Sequence, residues 1–356
     1  MRGGEKALEV LCERFPDAEL FTLVRMRGSV SPAIERMRTH TSFVQRLPFA
    51  TRLYRQYLPL MPTAVEQFDF DRFDTIVSVS HCCVKSIVRP GTARHVCYCL
   101  TPMRYAWDQF DAYFGPARVG AARSAIMRRM MARLARWDRD TADRVDRYVA
   151  ISHYVAGRIR RYYNREATVV YPPVDTDFFQ PAQAERTSSN GNSNPQALVV
   201  SALVPYKRIE TAIDACRLAQ VPLTIIGDGP DRARLEAYAA GYATFLGRQP
   251  DDTLRDWYRR AAFTLLPGEE DFGIVPLEAQ ACGRPVVALG RGGARETIVD
   301  GCTGILVEDG SAEGLADGIR RVLDRTFDGA AIRAHAERFS RTRFGDEMAA
   351  LVHDGH

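Results

Sequence analysis

From residue 197 onward the chain alternates between short apolar runs and amphipathic stretches. The runs lie at 197–203, 223–227, 243–247, 262–266, 285–289 and 304–307. Between them, apolar residues recur at helical spacing near 208–219, 230–240, 251–260, 276–282, 293–299 and 311–325. Runs this short, bounded by Gly, Pro or polar residues, read as strands and not as buried helices. Strands joined by helices pair in parallel, because each crossover brings the chain back to the edge it left. Being apolar throughout, they predict a doubly wound parallel sheet with helices on both faces. Such a sheet takes ligands at the carboxyl ends of its strands, so the loops that follow the strands are the ones to inspect.

The first half repeats the pattern less regularly. Residues 4–15 place apolar side chains at 7, 8, 11, 12 and 15, an amphipathic helix that starts at Gly3 and Gly4. Residues 20–24, 75–80, 95–99 and 148–152 read as strands, with helices expected over about 118–143 and up to about Tyr163. An α/β domain ordinarily opens with a strand that feeds its first glycine turn. None precedes Gly3, so the expectation is a sheet without its first strand, in a chain that starts as if at an internal Met. Residues 168–175 are extended and then stiffened by Pro172 and Pro173, which suits a crossing between domains. The chain thus divides into two Rossmann-like α/β domains, 1–170 and 171–339, and a helix over about 340–356 is expected to pack back on the first. Residues 186–195, low in complexity, are expected to be mobile.

Composition narrows the function. At 356 residues, 46% hydrophobic and 26% charged, the chain has the make-up of a soluble globular protein with room for two cores. No apolar run approaches the roughly 20 residues of a membrane-spanning helix, and no signal peptide opens the sequence. Cysteines 12, 82, 83, 97, 99, 216, 282 and 302 form no C-x-x-C pair, so reduced and mostly buried thiols of a cytosolic protein are expected. The net charge of +4 conceals a surplus of twelve positive charges over residues 1–165 and of eight negative charges over 166–356. The basic residues gather in two places. Over 32–66, Arg36, Arg38, Arg46, Arg52 and Arg55 are interleaved with Phe43, Leu47, Phe49, Leu53, Tyr54 and Tyr57; the 118–143 helix carries Arg123, Arg128, Arg129, Arg133, Arg136 and Arg139 beside a methionine stripe. Either these are solvated helical faces over a core, or they dock on anionic headgroups with the apolar residues dipping in. The methionine stripe reads as core. Nucleic acid is not an expected partner, since no binding module is recognisable.

Residues 267–283 carry the densest chemistry. Pro276 reads as the first helical position and Gly283 as the stop, with Glu270 on the preceding loop and Glu278 in the first turn. Free N–H groups and the positive helix end favour an anion there, and two carboxylates accept from hydroxyls. A phosphate-bearing polyol fits; a solvated acidic turn is the other reading. Lys207 and Arg208 stand together at a helix start, against the helix dipole, a conflict that an anion bound between them would remove. If no anion binds, they are surface cations. Gly227 and Gly229 let backbone approach a ligand, and Gly247-Arg248 closes a third strand.

Together these segments resemble the retaining glycosyltransferases of family 4, group 1, which have the GT-B fold. The resemblance covers nearly the whole chain and is most specific at the Glu-x7-Glu motif, Glu270 to Glu278. Leu203-Val-Pro-Tyr-Lys-Arg208, Ile226-Gly-Asp-Gly-Pro230 and Gly292-Gly-Ala-Arg-Glu296 add to it. Gly3-Gly-Glu-Lys6, residues 98–108 and Tyr171-Pro-Pro-Val-Asp175 resemble a bacterial mannosyltransferase-like subgroup that builds O-antigen, capsule or exopolysaccharide.

The resemblance implies a donor diphosphate on Lys207 and Arg208, and ribose hydroxyls on Glu278. It implies a donor sugar on Glu270 and the N–H groups of Phe272, Gly273 and Ile274. Gly227, Gly229, Arg248, Gly3 and Gly4 would complete the donor site, with Thr101, Arg104 and Asp108 on the acceptor side. The expected substrate is GDP-mannose or a UDP-sugar, with no metal and no further cofactor. The leaving phosphate would take the acceptor proton in a same-face attack. The implied partners are a polyprenyl-diphosphate-linked or growing glycan and an anionic membrane surface at the cytoplasmic side. Two positions depart from the pattern: Leu100 stands where the subgroup has His, and Ala202 where many members have Arg. Leu100 and the missing first strand leave a second expectation open, a donor-binding but catalytically impaired paralogue or truncated form.

Overall fold

The computed structural model describes residues 3–182 and 195–354. The low-complexity stretch, apart from Pro195, lies outside them. The chain divides into two compact units, the first running to Pro173 and resuming at Phe344, the second spanning Val174–Arg343.

Unit 1 holds two parallel sheets. Strands β1 (Glu19–Thr22) and β2 (Arg38–Thr41) form one, and β3 (Thr75–Ser80), β4 (Arg94–Cys99), β5 (Arg147–Ala150) and β6 (Ala167–Val169) form the other in that order. Helix α1 (Gly3–Arg14) buries Ala7, Leu11 and Cys12 of the stripe its spacing predicts, together with Val10, while Leu8 is half-buried and Phe15 lies just past its end. Helix α2 (Ala121–Asp140) buries Met131 and Leu134 against Met103, with Met127, Met130, Tyr105, Trp107 and Phe110 packed around them, so its methionine stripe is core. Helix α3 (His153–Tyr163) is capped by Ser152, whose hydroxyl accepts the Val155 N–H at 3.0 Å, and it stops at Asn164 with φ +53°. The helix Arg341–His353 returns to unit 1: the Phe344 ring meets Tyr98 at 5.3 Å, and Arg94 donates to the Val352 carbonyl at 3.2 Å. No disulfide occurs among the described residues, and Cys302 alone of the eight cysteines is exposed.

Residues 32–66 correct the sequence reading of a helical face. Residues 38–41 are strand β2, paired in register with β1, and the rest is a series of short helical turns. Prolines at 32, 48, 59 and 62 each remove a backbone donor and restart the chain direction, so no long helix propagates. Val44, Ala50, Met61, Ala64 and Val65 are buried, while Arg36, Arg38, Arg46, Arg52, Arg55 and Phe49 face solvent.

Unit 2 is a single six-stranded parallel sheet. Its strands are β7 (Ala197–Val200), β8 (Leu223–Ile226), β9 (Ala243–Gly247), β10 (Phe263–Leu266), β11 (Val286–Leu289) and β12 (Gly304–Val307), in the order β12-β11-β10-β7-β8-β9. Along β7, Ala197 and Val199 enter the core on one face and Leu198 the core on the other. Successive side chains point to opposite faces, so only a strand covered on both sides needs such an unbroken apolar run. The chain moves outward from β7 through β8 to β9, then crosses back to lay β10 on the other side of β7. The strand order reverses between β7 and β10, and the loops after these two strands part there.

Candidate functional site

The loop after β7 tightens into a 3-10 turn, Pro205–Lys207, before helix α4 (Ile209–Ala219). The loop after β10 leads through Gly273, at φ +92°, into helix α6 (Ile274–Ala281); α5 (Asp251–Arg260) precedes β10. Across the reversal of strand order the Lys207 ammonium donates to the Glu270 carboxylate. Both side chains are largely covered, 17% and 13% exposed, so water screens the pair less than a surface ion pair. Arg208 turns elsewhere. It is held at φ +55° as the N-cap of α4 and donates from Nη2 to the Gly310 carbonyl at 2.7 Å, beyond β12. The conflict foreseen at this helix start is therefore met by two protein groups, a carboxylate for Lys207 and a carbonyl for Arg208.

The Glu270 backbone is fixed as well. Its carbonyl accepts the Gly293 N–H at 2.8 Å, and a Cβ on Gly293 would lie 2.3 Å from Phe272 Cα, so only glycine lets the loops after β10 and β11 touch. Helix α6 begins two residues before Pro276, which occupies its third position, not its first. A missing N–H is tolerated there because first-turn donors have no acceptor within the helix. Glu278 accordingly falls in the second turn, not the first. It is 4% exposed, and its Oε2 accepts from the Tyr258 hydroxyl of α5 at 2.9 Å. Burial, then the nearby Glu278 carboxylate, push the Tyr258 pKa well up, so the hydroxyl stays a proton donor. Sequence reasoning missed Tyr258; its only trace is an aromatic in a helix of mostly charged residues.

The glycine turn after β8 closes the other side. Gly227 has φ +138°, and a Cβ there would lie 1.8 Å from the Ser201 carbonyl oxygen. Its N–H donates to Gly247 at 2.9 Å, while the Leu203 N–H donates to Asp228 at 3.0 Å. A Cβ on Gly229 would lie 2.3 Å from the Leu203 carbonyl oxygen. Arg248 follows Gly247 and is exposed. Lys207, Gly227, Gly229, Arg248, Glu270, residues 272–274 and Glu278 therefore collect at the carboxyl ends of one sheet.

In unit 1, Gly4 lies against Leu100, at the end of β4. Thr101 Oγ1 donates to the Pro102 carbonyl at 3.2 Å, and Arg104 opens the short helix Arg104–Trp107. Asp108, expected to face an acceptor, is held by Arg158 Nη2 at 2.9 Å and by the Tyr162 hydroxyl at 3.2 Å. Beneath this loop lies a cluster that sequence reasoning did not find. Lys85 and Asp138 pair at 3.1 Å, 1% and 0% exposed, and Asp138 Oδ2 accepts from Trp107 Nε1 at 2.9 Å and from the Tyr163 hydroxyl at 2.8 Å. Its one sequence trace is that Lys85 is one of only three lysines in a chain whose other basic side chains are arginines. Among the described residues no group of His, Cys, Asp and Glu could hold a metal ion.

Residues 182–341, nearly all of unit 2, match the family described as glycosyl transferases, group 1. Unit 2 is thus similar in sequence to group 1 glycosyl transferases. The chain is 30% identical, over 60% of its length and 54% of the relative's, to a D-inositol 3-phosphate glycosyltransferase of Mycolicibacterium smegmatis. It is 31% identical, over 52% of its length and 54% of the relative's, to a GDP-mannose-dependent alpha-(1-6)-phosphatidylinositol monomannoside mannosyltransferase of Mycobacterium tuberculosis. The chain spans about half the length of the curated relatives it matches. Among solved structures, Anabaena HepE in complex with UDP-glucose aligns with a TM-score of 0.70 and 18% identity, over 99% of this chain and 96% of that one. The two Rossmann-like parallel-sheet domains are those of GT-B glycosyltransferases.

Proposed function

We propose that the chain is a group 1 glycosyltransferase that moves a hexose, mannose first, from a nucleotide-diphosphate sugar to a lipid-linked or growing glycan with retention and without metal, in bacterial surface polysaccharide synthesis. The observation that carries the reading is the Lys207–Glu270 pair at the reversal of strand order, with the buried Glu278 eight residues on. Cleaving a sugar–diphosphate bond develops positive charge on the sugar and negative charge on the phosphate. Fixed donors aimed at the phosphate lower that barrier most, and Lys207, at the reversal of strand order, suits that role. Glu278, its carboxylate steadied by Tyr258, suits ribose hydroxyls. Glu270 and the backbone of residues 272–274 suit the sugar. The GDP-mannose-dependent relative supports the choice of donor.

Unit 1 would take the acceptor side. Exposed Phe49, between Arg46 and Arg52, and exposed Ile126, beside Arg123 and Arg129, suit an anionic membrane surface at the cytoplasmic face. No helix among the described residues is long and apolar enough to cross a membrane. The test is incubation with a panel of labelled nucleotide sugars and a bacterial lipid extract. Transfer of label to lipid or glycan from GDP-mannose or a UDP-sugar is expected, and no transfer from any donor would reject it.

A second reading, a donor-binding chain impaired in transfer, is favoured by Leu100, which fills the space beside Gly4 with hydrocarbon. Nucleotide binding measured by calorimetry without any turnover would select it.

A further inference from the structure

We propose that Glu270 sets the preference for a nucleotide sugar over the free nucleoside diphosphate, by competing with the terminal phosphate for Lys207. This rests on the function proposed above. Lys207 already donates to a carboxylate of its own chain, and Arg208 is turned to the Gly310 carbonyl. A phosphate that reaches Lys207 therefore arrives beside the negative charge of Glu270. In a nucleotide sugar the outer phosphate is esterified, and what lies beyond it is a ring of hydroxyls, which donate to a carboxylate. In the free diphosphate the same place holds an additional ionised oxygen, which the carboxylate repels. One side chain thus attracts the substrate and repels the nucleotide product, so it raises specificity and speeds product release together. Coverage of the pair strengthens both effects, because less water lies between the charges.

Calorimetry with GDP and UDP on the full chain tests this. For whichever nucleotide the wild type binds, Glu270→Gln keeps an acceptor for Lys207 but removes the charge, and is expected to bind it about tenfold tighter. The affinity of the same variant for the matching nucleotide sugar is expected not to rise. Glu270→Ala removes the charge differently and should shift the free diphosphate in the same direction, whereas Glu270→Asp should stay near wild type. Raising the salt concentration should narrow the gap between wild type and Glu270→Gln. Unchanged or weaker diphosphate binding by both neutral variants would overturn the inference while leaving the proposed function standing. A wild type that binds neither GDP nor UDP would overturn the function itself, and this inference with it.

Discussion

A Cβ on Gly4 would stand 2.5 Å from Leu100 Cδ1, so the start of the first helix and the end of β4 meet through a glycine and a leucine. In the mannosyltransferase-like pattern that residues 98–108 resemble, histidine stands at this leucine. An imidazole supplies a donor or acceptor that a methyl group cannot. Leu100→His is expected to raise transfer to acceptor with GDP or UDP affinity unchanged. Steady-state turnover beside calorimetry checks this, and turnover that stays flat would count against the impaired-paralogue reading.

Glu278→Ala removes a buried carboxylate and should weaken nucleotide binding, and Lys207→Ala should lower turnover more than it lowers folding stability. Tyr258→Phe withdraws a single hydroxyl donated to that carboxylate, and hydrogen bonds to charged groups are worth about 1.5–3 kcal/mol. Its nucleotide affinity should therefore fall between those of wild type and Glu278→Ala. Binding and turnover of the purified variants, with denaturation as the folding control, decide it. Wild-type turnover in both alanine variants would remove these residues from the site.

Lys85→Met strands the Asp138 charge in a position with no exposure. Breaking one side of a buried ion pair costs about 3–5 kcal/mol, so a marked loss in urea unfolding is expected. The double variant Lys85→Met/Asp138→Leu should recover part of the loss but not all, because Trp107 and Tyr163 then lack their acceptor. A double variant less stable than either single one would contradict this account.

His95 is buried with Nδ1 on the Arg144 carbonyl at 3.0 Å and Nε2 on the Ser78 hydroxyl at 2.8 Å, an arrangement of neutral imidazole. Burial pushes its pKa down from 6.5 to about 4; the Arg89 and Lys85 charges add to this, while the Arg144 carbonyl and Asp146 oppose it. The unfolded chain therefore takes up a proton before the folded one does. Stability from this group is complete above pH 6.5 and drains away as the pH falls towards 4, by up to about 3 kcal/mol. Unfolding curves across that range should be flatter in His95→Asn, and identical slopes would exclude the histidine.

The strands of the unit 2 sheet were legible because their alternation with helices follows from local properties alone. Six apolar runs and six amphipathic stretches give parallel strands wherever the chain is read, and the observed strands fall inside or within a residue of the predicted runs. The helix after β10 was placed two residues late, since a proline marks a first turn without saying which position in it. Residues 32–66 depart from a helical face because four prolines and the pairing of β2 with β1 decide their structure, and neither is visible in the interleaving of arginines with apolar residues. At the site, the residue types were visible but their pairings were not. Lys207 and Glu270 lie 63 positions apart, and Lys85 and Asp138 meet 53 positions apart. Such contacts depend on which strands are neighbours, which no local pattern specifies. Asp108 shows the reverse: a carboxylate in a motif resembling an acceptor site is tied to Arg158, a partner 50 positions away.

The reversal of strand order has one more consequence. Residues 197–247 build one half of the unit 2 sheet, and residues 263–307 the other. Lys207 and Arg208 belong to the first half, Glu270 and Glu278 to the second. Each half is a continuous stretch of chain, so inheritance or recombination could exchange either as a block. A swapped first half would bring both cations and neither carboxylate. Charge balance at the site is thus a property that neither half encodes alone.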